Sequence, residues 1–227
     1  MGERSGIAVV DDVLRGTCVL KVLIADDHSI FRRGLKDLLC DGLGAITVGE
    51  CANAFDLFQL VKQKKWDVVI LDIGMPGTTG TDALIQVKRQ HPSLPVVMLS
   101  MHPEDQYAVR MFKAGANAYL TKASAPEELV TAIKKVLSGG NYVSPSLGDK
   151  LVHLFHRGEE RPPHELLSDR EFEVMRLLSS GKTVSQIAES MHLGTTTVST
   201  YRSRILEKLH LKNNAELMRY AVQQGIG

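Results

Sequence analysis

From residue 20 to about residue 138, short runs of apolar residues alternate with stretches in which apolar positions recur every three or four residues. Runs at 20–25, 46–51, 68–71, 96–100 and 117–120 predict five strands. The first, third and fourth are almost continuously apolar, the pattern of parallel strands covered on both faces. Between them, helical spacing predicts helices over 29–40 (Ile30, Leu35, Leu38, Leu39), 54–64 (Phe55, Leu57, Phe58, Val61), 81–90, 104–114 and 126–137. Five such repeats predict an α/β doubly wound, five-stranded parallel sheet with right-handed crossovers. Ser124 is expected to cap the last helix, with Pro126 in its first turn, Glu127 and Glu128 at the positive end of its dipole, and Gly139 and Gly140 ending it.

The pattern then breaks. Residues 139–163 are rich in turn formers (Asn141, Ser144, Pro145, Gly148, Pro162, Pro163) and predict a linker, with an apolar stretch at 147–155 that can form a short helix. His153 and His156 share a helical spacing there, but no third ligand stands nearby, so they read as surface histidines. From residue 166 onward only helical signals remain. Ser168 and Glu171 form a capping box that opens a helix to about Ser180, closed by Gly181. A second, short helix covers 183–191 with Val184, Ile187, Ala188 and Met191 on one face. After His192, Leu193 and Gly194 a third runs over 195–209, and Asn213 or Asn214 caps a fourth to about Gln224. Two short helices joined by a tight, Gly-containing turn form a helix-turn-helix. The expected organisation is therefore a tail over 1–19, the α/β domain over 20–138, a linker over 139–163 and a small all-α four-helix domain over 164–227.

Composition narrows the function classes. The chain of 227 residues, 44% hydrophobic and 23% charged, is neither disordered nor fibrous. A net charge of +1 supplies no global field for nucleic acid, so any basic patch has to be local. No apolar run approaches the ~18–20 residues that cross a bilayer, and the first residues lack a signal-peptide core. A cytoplasmic protein with no membrane partner is expected. Cys18, Cys40 and Cys51 are odd in number and lack C-x-x-C spacing, against a disulfide framework or zinc knuckle.

The candidate chemistry lies at strand ends, where open parallel sheets bind ligands. Strand one ends in Asp26 and Asp27, strand three in Asp72 and strand four in Ser100, while Lys122 follows strand five. A single Asp at a strand end ordinarily starts a turn, but five such groups converging on one crevice call for another reading. Clustered carboxylates need a counter-charge to stay ionised, and hard oxygen ligands with open positions suit Mg²⁺. Asp72 is then the nucleophile that forms an acyl phosphate, Ser100 donates to a phosphoryl oxygen, and Lys122 pairs with its charge. A competing reading, a Mg²⁺-dependent phosphatase of the haloacid dehalogenase type, needs a second carboxylate two residues after the nucleophile, where Gly74 stands.

In the second block, Arg202, Arg204, Lys208 and Lys212 face Glu207 alone between residues 195 and 212, a concentrated basic footprint. Val198, Ile205 and Leu209 make the buried stripe, with Leu206 beside it and Arg202 facing outward. Thr195, Thr196, Thr197, Ser199 and Thr200 supply hydroxyls for phosphate or base contacts, and Lys182 can hold the backbone. An ordinary solvated basic face is the alternative; the helix-turn-helix spacing favours DNA.

Asp26 and Asp27, the segment from Asp72 through Gly77, Ser100, the segment 114–119 and Lys122 resemble the receiver domain of bacterial two-component response regulators. Leu167 to Glu171, Ile187-Ala188, Thr197-Val198 and Lys208-Leu209 are similar to the LuxR-type helix-turn-helix. Over residues 20–226 the whole resembles the NarL/FixJ family. The resemblance implies a flavodoxin/CheY-like receiver whose Asp72 accepts phosphate from a sensor histidine kinase. It implies Mg²⁺ held by Asp26, Asp27, Asp72 and the Gly74 carbonyl, and a switch formed by Ser100 and Tyr119, though Tyr119 reads equally as an aromatic packed on the sheet. The expected active form is a homodimer on promoter half-sites in double-stranded DNA, with Lys182, Thr195, Thr196, Thr197, Val198, Ser199, Thr200, Arg202, Arg204 and Lys208 as the expected DNA-contacting set. No enzymatic turnover is expected beyond phosphotransfer to Asp72 and slow self-dephosphorylation. Three departures stand out. Met101 follows Ser100 where the family usually has a small residue. Gly74 offers no side chain to orient an attacking water, so a long-lived phosphoaspartate is expected. Ser199 stands where many members carry a DNA-contacting lysine. A regulator that binds DNA independently of phosphate, using its receiver only for protein contacts, is the remaining alternative.

Overall fold

The computed structural model describes residues 19–75, 78–101, 103–145, 147–148 and 163–226. The tail at 1–18, His153, His156 and most of the 147–155 segment lie outside the described residues. The chain divides into two compact units, residues 1–156 and 157–227.

The first unit is built on five parallel strands, β1 (Leu20–Ala25), β2 (Ile46–Cys51), β3 (Val68–Asp72), β4 (Val96–Ser100) and β5 (Ala118–Thr121), ordered β2-β1-β3-β4-β5. Every residue of β3 and β4 is buried, as their unbroken apolar runs require. Helices α1 (Ser29–Leu43), α2 (Ala54–Gln63), α3 (Gly80–Gln90), α4 (Glu104–Lys113) and α5 (Ala125–Leu137) connect them. A core cluster joins one face of the sheet (Val22, Ile24, Ile70, Leu99, Leu120) to Leu35 and Leu39 of α1 and Leu129, Ile133 and Val136 of α5.

Two apolar residues expected in helical stripes lie outside: Ile30 is 88% and Phe55 70% exposed. At about 100° per residue, Ile30 sits far round the helix from buried Leu35 and Leu39, and Phe31 takes the stripe position instead. Phe55 is likewise off the line of Ala54, Leu57 and Val61. Ser124 does not cap α5 through its side chain. Its hydroxyl donates back to the Thr121 carbonyl at 3.3 Å and accepts from the Thr121 hydroxyl at 3.1 Å, and only its carbonyl oxygen receives the Glu127 and Glu128 N–H groups.

The segment after α5, read from sequence as the start of a linker, lies against the sheet edge. Gly139, at φ +85°, turns the chain, and Tyr142 forms a parallel bridge with Ala118 of the edge strand β5. The Tyr142 N–H donates to the Asn117 carbonyl at 2.9 Å and its hydroxyl to Glu128 Oε2 at 2.8 Å. The Ser144 hydroxyl donates to Glu104 at the start of α4, and Leu147 is buried.

The second unit holds a 3-10 turn (Pro163–Leu166) and helices α6 (Asp169–Ser179), α7 (Val184–Ser190), α8 (Thr195–Lys208) and α9 (Asn214–Gln224). Capping boxes at Ser168/Glu171 and Thr183/Gln186 start α6 and α7, and Asn213 caps α9. Phe172, Val174, Met175, Ile187, Val198, Ile205 and Leu217 form the buried interior. In the turn between α7 and α8 the left-handed residue is His192, at φ 53°, whereas Gly194 is extended and serves as N-cap. Among the described residues no helix is long and apolar enough to cross a membrane.

Candidate functional site

Strand register builds the first site. Ala25 pairs with Leu71, Asp72 with Leu99 and Ser100 with Thr121, so β1, β3, β4 and β5 end side by side and deliver Asp26, Asp72, Ser100 and Lys122 to one rim. Asp26, Asp72 and Ser100 are almost completely buried and Lys122 nearly so. The loop after Asp72 is drawn tight at Gly80, whose N–H donates to the Ile73 carbonyl at 3.2 Å and where a Cβ would stand 2.4 Å from Ile73 Cα.

Lys122 Nζ lies 2.9 Å from Asp72 Oδ2 and 2.7 Å from Asp26 Oδ2, and 4.8 Å above the Phe31 ring. The contact to Asp72 is a hydrogen bond. That to Asp26 is an ion pair by distance only, since Asp26 Oδ2 has no aligned hydrogen-bond partner. Burial raises the Asp72 carboxyl above its ordinary value, and the Asp26 charge adds to this while Lys122 opposes it. Burial alone would lower Lys122, but its two carboxylate partners hold it above its ordinary value, so the ammonium stays charged.

His28, which the strand-end argument overlooked, completes the cluster. Its Nδ1 lies 2.7 Å from Asp27 Oδ1, 3.2 Å from Asp26 Oδ1 and 3.5 Å from Lys122 Nζ. One ligand atom each from Asp26, Asp27, His28 and Asp72 lie within 4.8 Å of one another. Its place directly after the aspartate pair was the available signal. The donor set and the misaligned buried oxygen of Asp26 fit a hard divalent cation. Gly74 is exposed, and a Cβ there would stand 3.5 Å from Asp72 Oδ2, so its lack of a side chain leaves the approach to Asp72 open. Met101 is 77% exposed and so is not packed into the crevice.

Tyr119 is fully buried. It pairs with Met98, two residues before Ser100, so Ser100 and Tyr119 project from the same sheet face, opposite to the one followed by Asp72.

In the second unit, Thr195, Thr196, Thr197, Ser199, Thr200 and Arg204 are exposed along α8, and Lys182 is exposed before α7. Three residues from the same sequence-derived set are otherwise engaged. Val198 is fully buried, packed into the interior by the stripe it shares with Ile205, and does not reach a base edge. Arg202 does not face freely outward: its Nε donates to Asn214 Oδ1 at 2.7 Å. Lys208 Nζ lies 2.6 Å from the buried carboxylate of Glu171.

Comparison with known proteins assigns both units to known domain families. Residues 22–134 match the response regulator receiver domain and residues 165–221 the luxR family of bacterial regulatory proteins. The response regulator GacA of Pseudomonas aeruginosa is 35% identical over 209 residues, 92% of this chain and 98% of that protein. UvrY of Escherichia coli is 32% identical over 92% of this chain and 96% of its own length. RcsB of Salmonella enterica serovar Typhimurium, solved on a promoter in the presence of phosphomimetic BeF3−, matches with TM-score 0.57 at 26% identity, covering 89% of this chain and 98% of that one. Another RcsB structure holds two dimers bound to two parallel DNAs, with TM-score 0.55 at 26% identity, 90% of this chain and 98% of that one. A receiver-type α/β unit followed by a helix-turn-helix defines a two-component response regulator with a DNA-binding domain. Within that class the chain belongs to the NarL/FixJ family, with a receiver and a LuxR-type domain.

Proposed function

We propose that the protein is a transcription regulator switched by phosphorylation of Asp72, with the phosphoryl group arriving from a histidine kinase. The observation that carries this reading is the buried Asp26–Lys122–Asp72 arrangement at the strand ends. An Asp72 carboxylate oxygen attacks phosphorus, the bond from phosphorus to the donor's imidazole nitrogen breaks, and the donor leaves with the electron pair. Asp26, Asp27, Asp72 and the Gly74 carbonyl would hold Mg²⁺, which when bound offsets the charge on the transferring oxygens. Lys122 pairs with a phosphoryl oxygen, and Ser100 donates a hydrogen bond to another. Movement of Ser100 vacates space on the face it shares with Tyr119, and a change of Tyr119 packing reshapes the surface near α4 and β5.

The phosphorylated form acts as a homodimer on paired promoter half-sites. Thr195, Thr196, Thr197, Ser199 and Thr200 meet bases or phosphates in the major groove, and Lys182 and Arg204 meet phosphates. Arg202 and Lys208 serve first to position α8 against α9 and α6. The RcsB complexes with DNA support this part of the reading. On this reading the receiver domain spans 20–138 and the DNA-binding domain 164–227, joined through 139–163.

Incubation with Mg²⁺ and acetyl phosphate tests the proposal. The wild type is expected to gain the mass of one phosphoryl group and to dimerise, and Asp72→Asn to do neither. Decay should take minutes or longer, because position 74 offers no group to orient water. Failure of the wild type to gain mass would leave a regulator that responds only to protein contacts; rapid turnover would point to a phosphatase.

A further inference from the structure

We propose that His28 is a direct nitrogen ligand of the metal centre, and that it biases the centre towards borderline ions such as Mn²⁺ and Co²⁺ relative to Mg²⁺. The inference rests on the proposed function only in taking the acidic rim to hold a divalent ion. An octahedral ion with bonds of about 2.1 Å separates adjacent ligand atoms by about 3.0 Å and opposite ones by about 4.2 Å. His28 Nδ1 stands 2.7 Å from Asp27 Oδ1 and 3.2 Å from Asp26 Oδ1, both near the adjacent-ligand spacing. All four donor atoms, the Asp72 oxygen included, lie within 4.8 Å of one another, close to the largest span of such a shell.

Two further observations point the same way. The His28 backbone N–H donates to Asp26 Oδ1 at 2.8 Å, which ties the residue to the carboxylate it would join at the ion. Asp26 Oδ2 is buried and carries no aligned hydrogen bond, although Lys122 Nζ stands 2.7 Å from it, so it keeps lone-pair capacity that a metal ion can use. Three carboxylate oxygens alone make a hard site suited to Mg²⁺, Ca²⁺ or Mn²⁺. An imidazole nitrogen adds most to affinity for ions later in the first transition row.

The test loads the full-length protein with one equivalent of Mn²⁺ and reads electron spin-echo envelope modulation, with natural-abundance and ¹⁵N-histidine protein compared. Histidine nitrogen coupling is expected in the wild type and absent in His28→Ala. In competition titrations the same substitution should cut the preference for Co²⁺ over Mg²⁺ by about tenfold or more, while Mg²⁺ affinity changes less than about threefold. His28 is largely exposed, 64% for its side chain, so the variant is expected to fold, as a thermal melt verifies. Mn²⁺ bound in an Asp27-dependent way without histidine coupling, or an unchanged ion preference in His28→Ala, overturns this proposal and leaves the acidic site standing. Failure of the wild type to bind any ion overturns both.

Discussion

Lys122 is the only cation holding two buried carboxylates among the described residues of the rim, with Asp26 and Asp72 side chains 1% and 3% exposed. Replacing it by Met leaves both charges without compensation in a poorly solvated place, a change that typically costs about 3 kcal/mol or more. Urea unfolding of Lys122→Met is expected to show a loss of that order without metal, and millimolar Mg²⁺ should restore a larger share of stability than it adds to the wild type. Equal stability of the two proteins in chelator would contradict this. The rim was legible at this scale because strand ends can be read from apolar runs, and a run's last residue points to the sheet's carboxyl edge. For His28 the sequence offered only its place after the aspartate pair, not the direction of its ring. Three residues beyond the end of β1, the direction of a ring depends on loop dihedrals that no periodicity encodes. The same holds for Arg202 and Lys208, whose partners Asn214 and Glu171 are remote in sequence or on another helix.

Besides their packing, helices α8 and α6 are joined by the charged contact of Lys208 with Glu171. Burial alone would raise the Glu171 carboxyl, but the Lys208 ammonium and the Ser168 N–H bring it below its ordinary value of 4.5. A lowered folded-state value means that the contribution is complete above pH 4.5 and is lost as pH falls through the lower, folded value. Acid should therefore loosen the helical unit, and Lys208→Met should flatten that acid limb in melts recorded between pH 3 and 7. At neutral pH the substitution should cost about 1 kcal/mol, a modest figure because the ammonium is partly solvated. Element boundaries were mostly readable: capping boxes at Ser168 and Thr183 and the cap at Asn213 are local patterns satisfied within three residues. Ser124 misled because its hydroxyl has a nearer partner in Thr121.

At the scale of the whole molecule, a net charge of +1 makes DNA affinity a matter of a few placed cations. Arg204→Ala is expected to weaken promoter binding and to reduce the slope of log affinity against log salt by about 1 per monomer, without changing sequence preference. Filter binding or fluorescence anisotropy across salt concentrations checks this, and an unchanged slope would remove Arg204 from the phosphate-contacting group. The division into an α/β unit and a helical unit followed from the change in hydrophobic period. The packing of Tyr142, Ser144 and Leu147 did not, since turn-forming composition looks alike whether a segment hangs free or lies on a sheet. Tyr142 caps a strand whose outer hydrogen-bonding groups would otherwise offer a template to any passing extended chain. A receiver fragment severed at Ser138 should therefore stick to copies of itself in light scattering, while one carried on to Gly148 stays dispersed. The receiver unit, on that account, runs several residues further than its composition suggests.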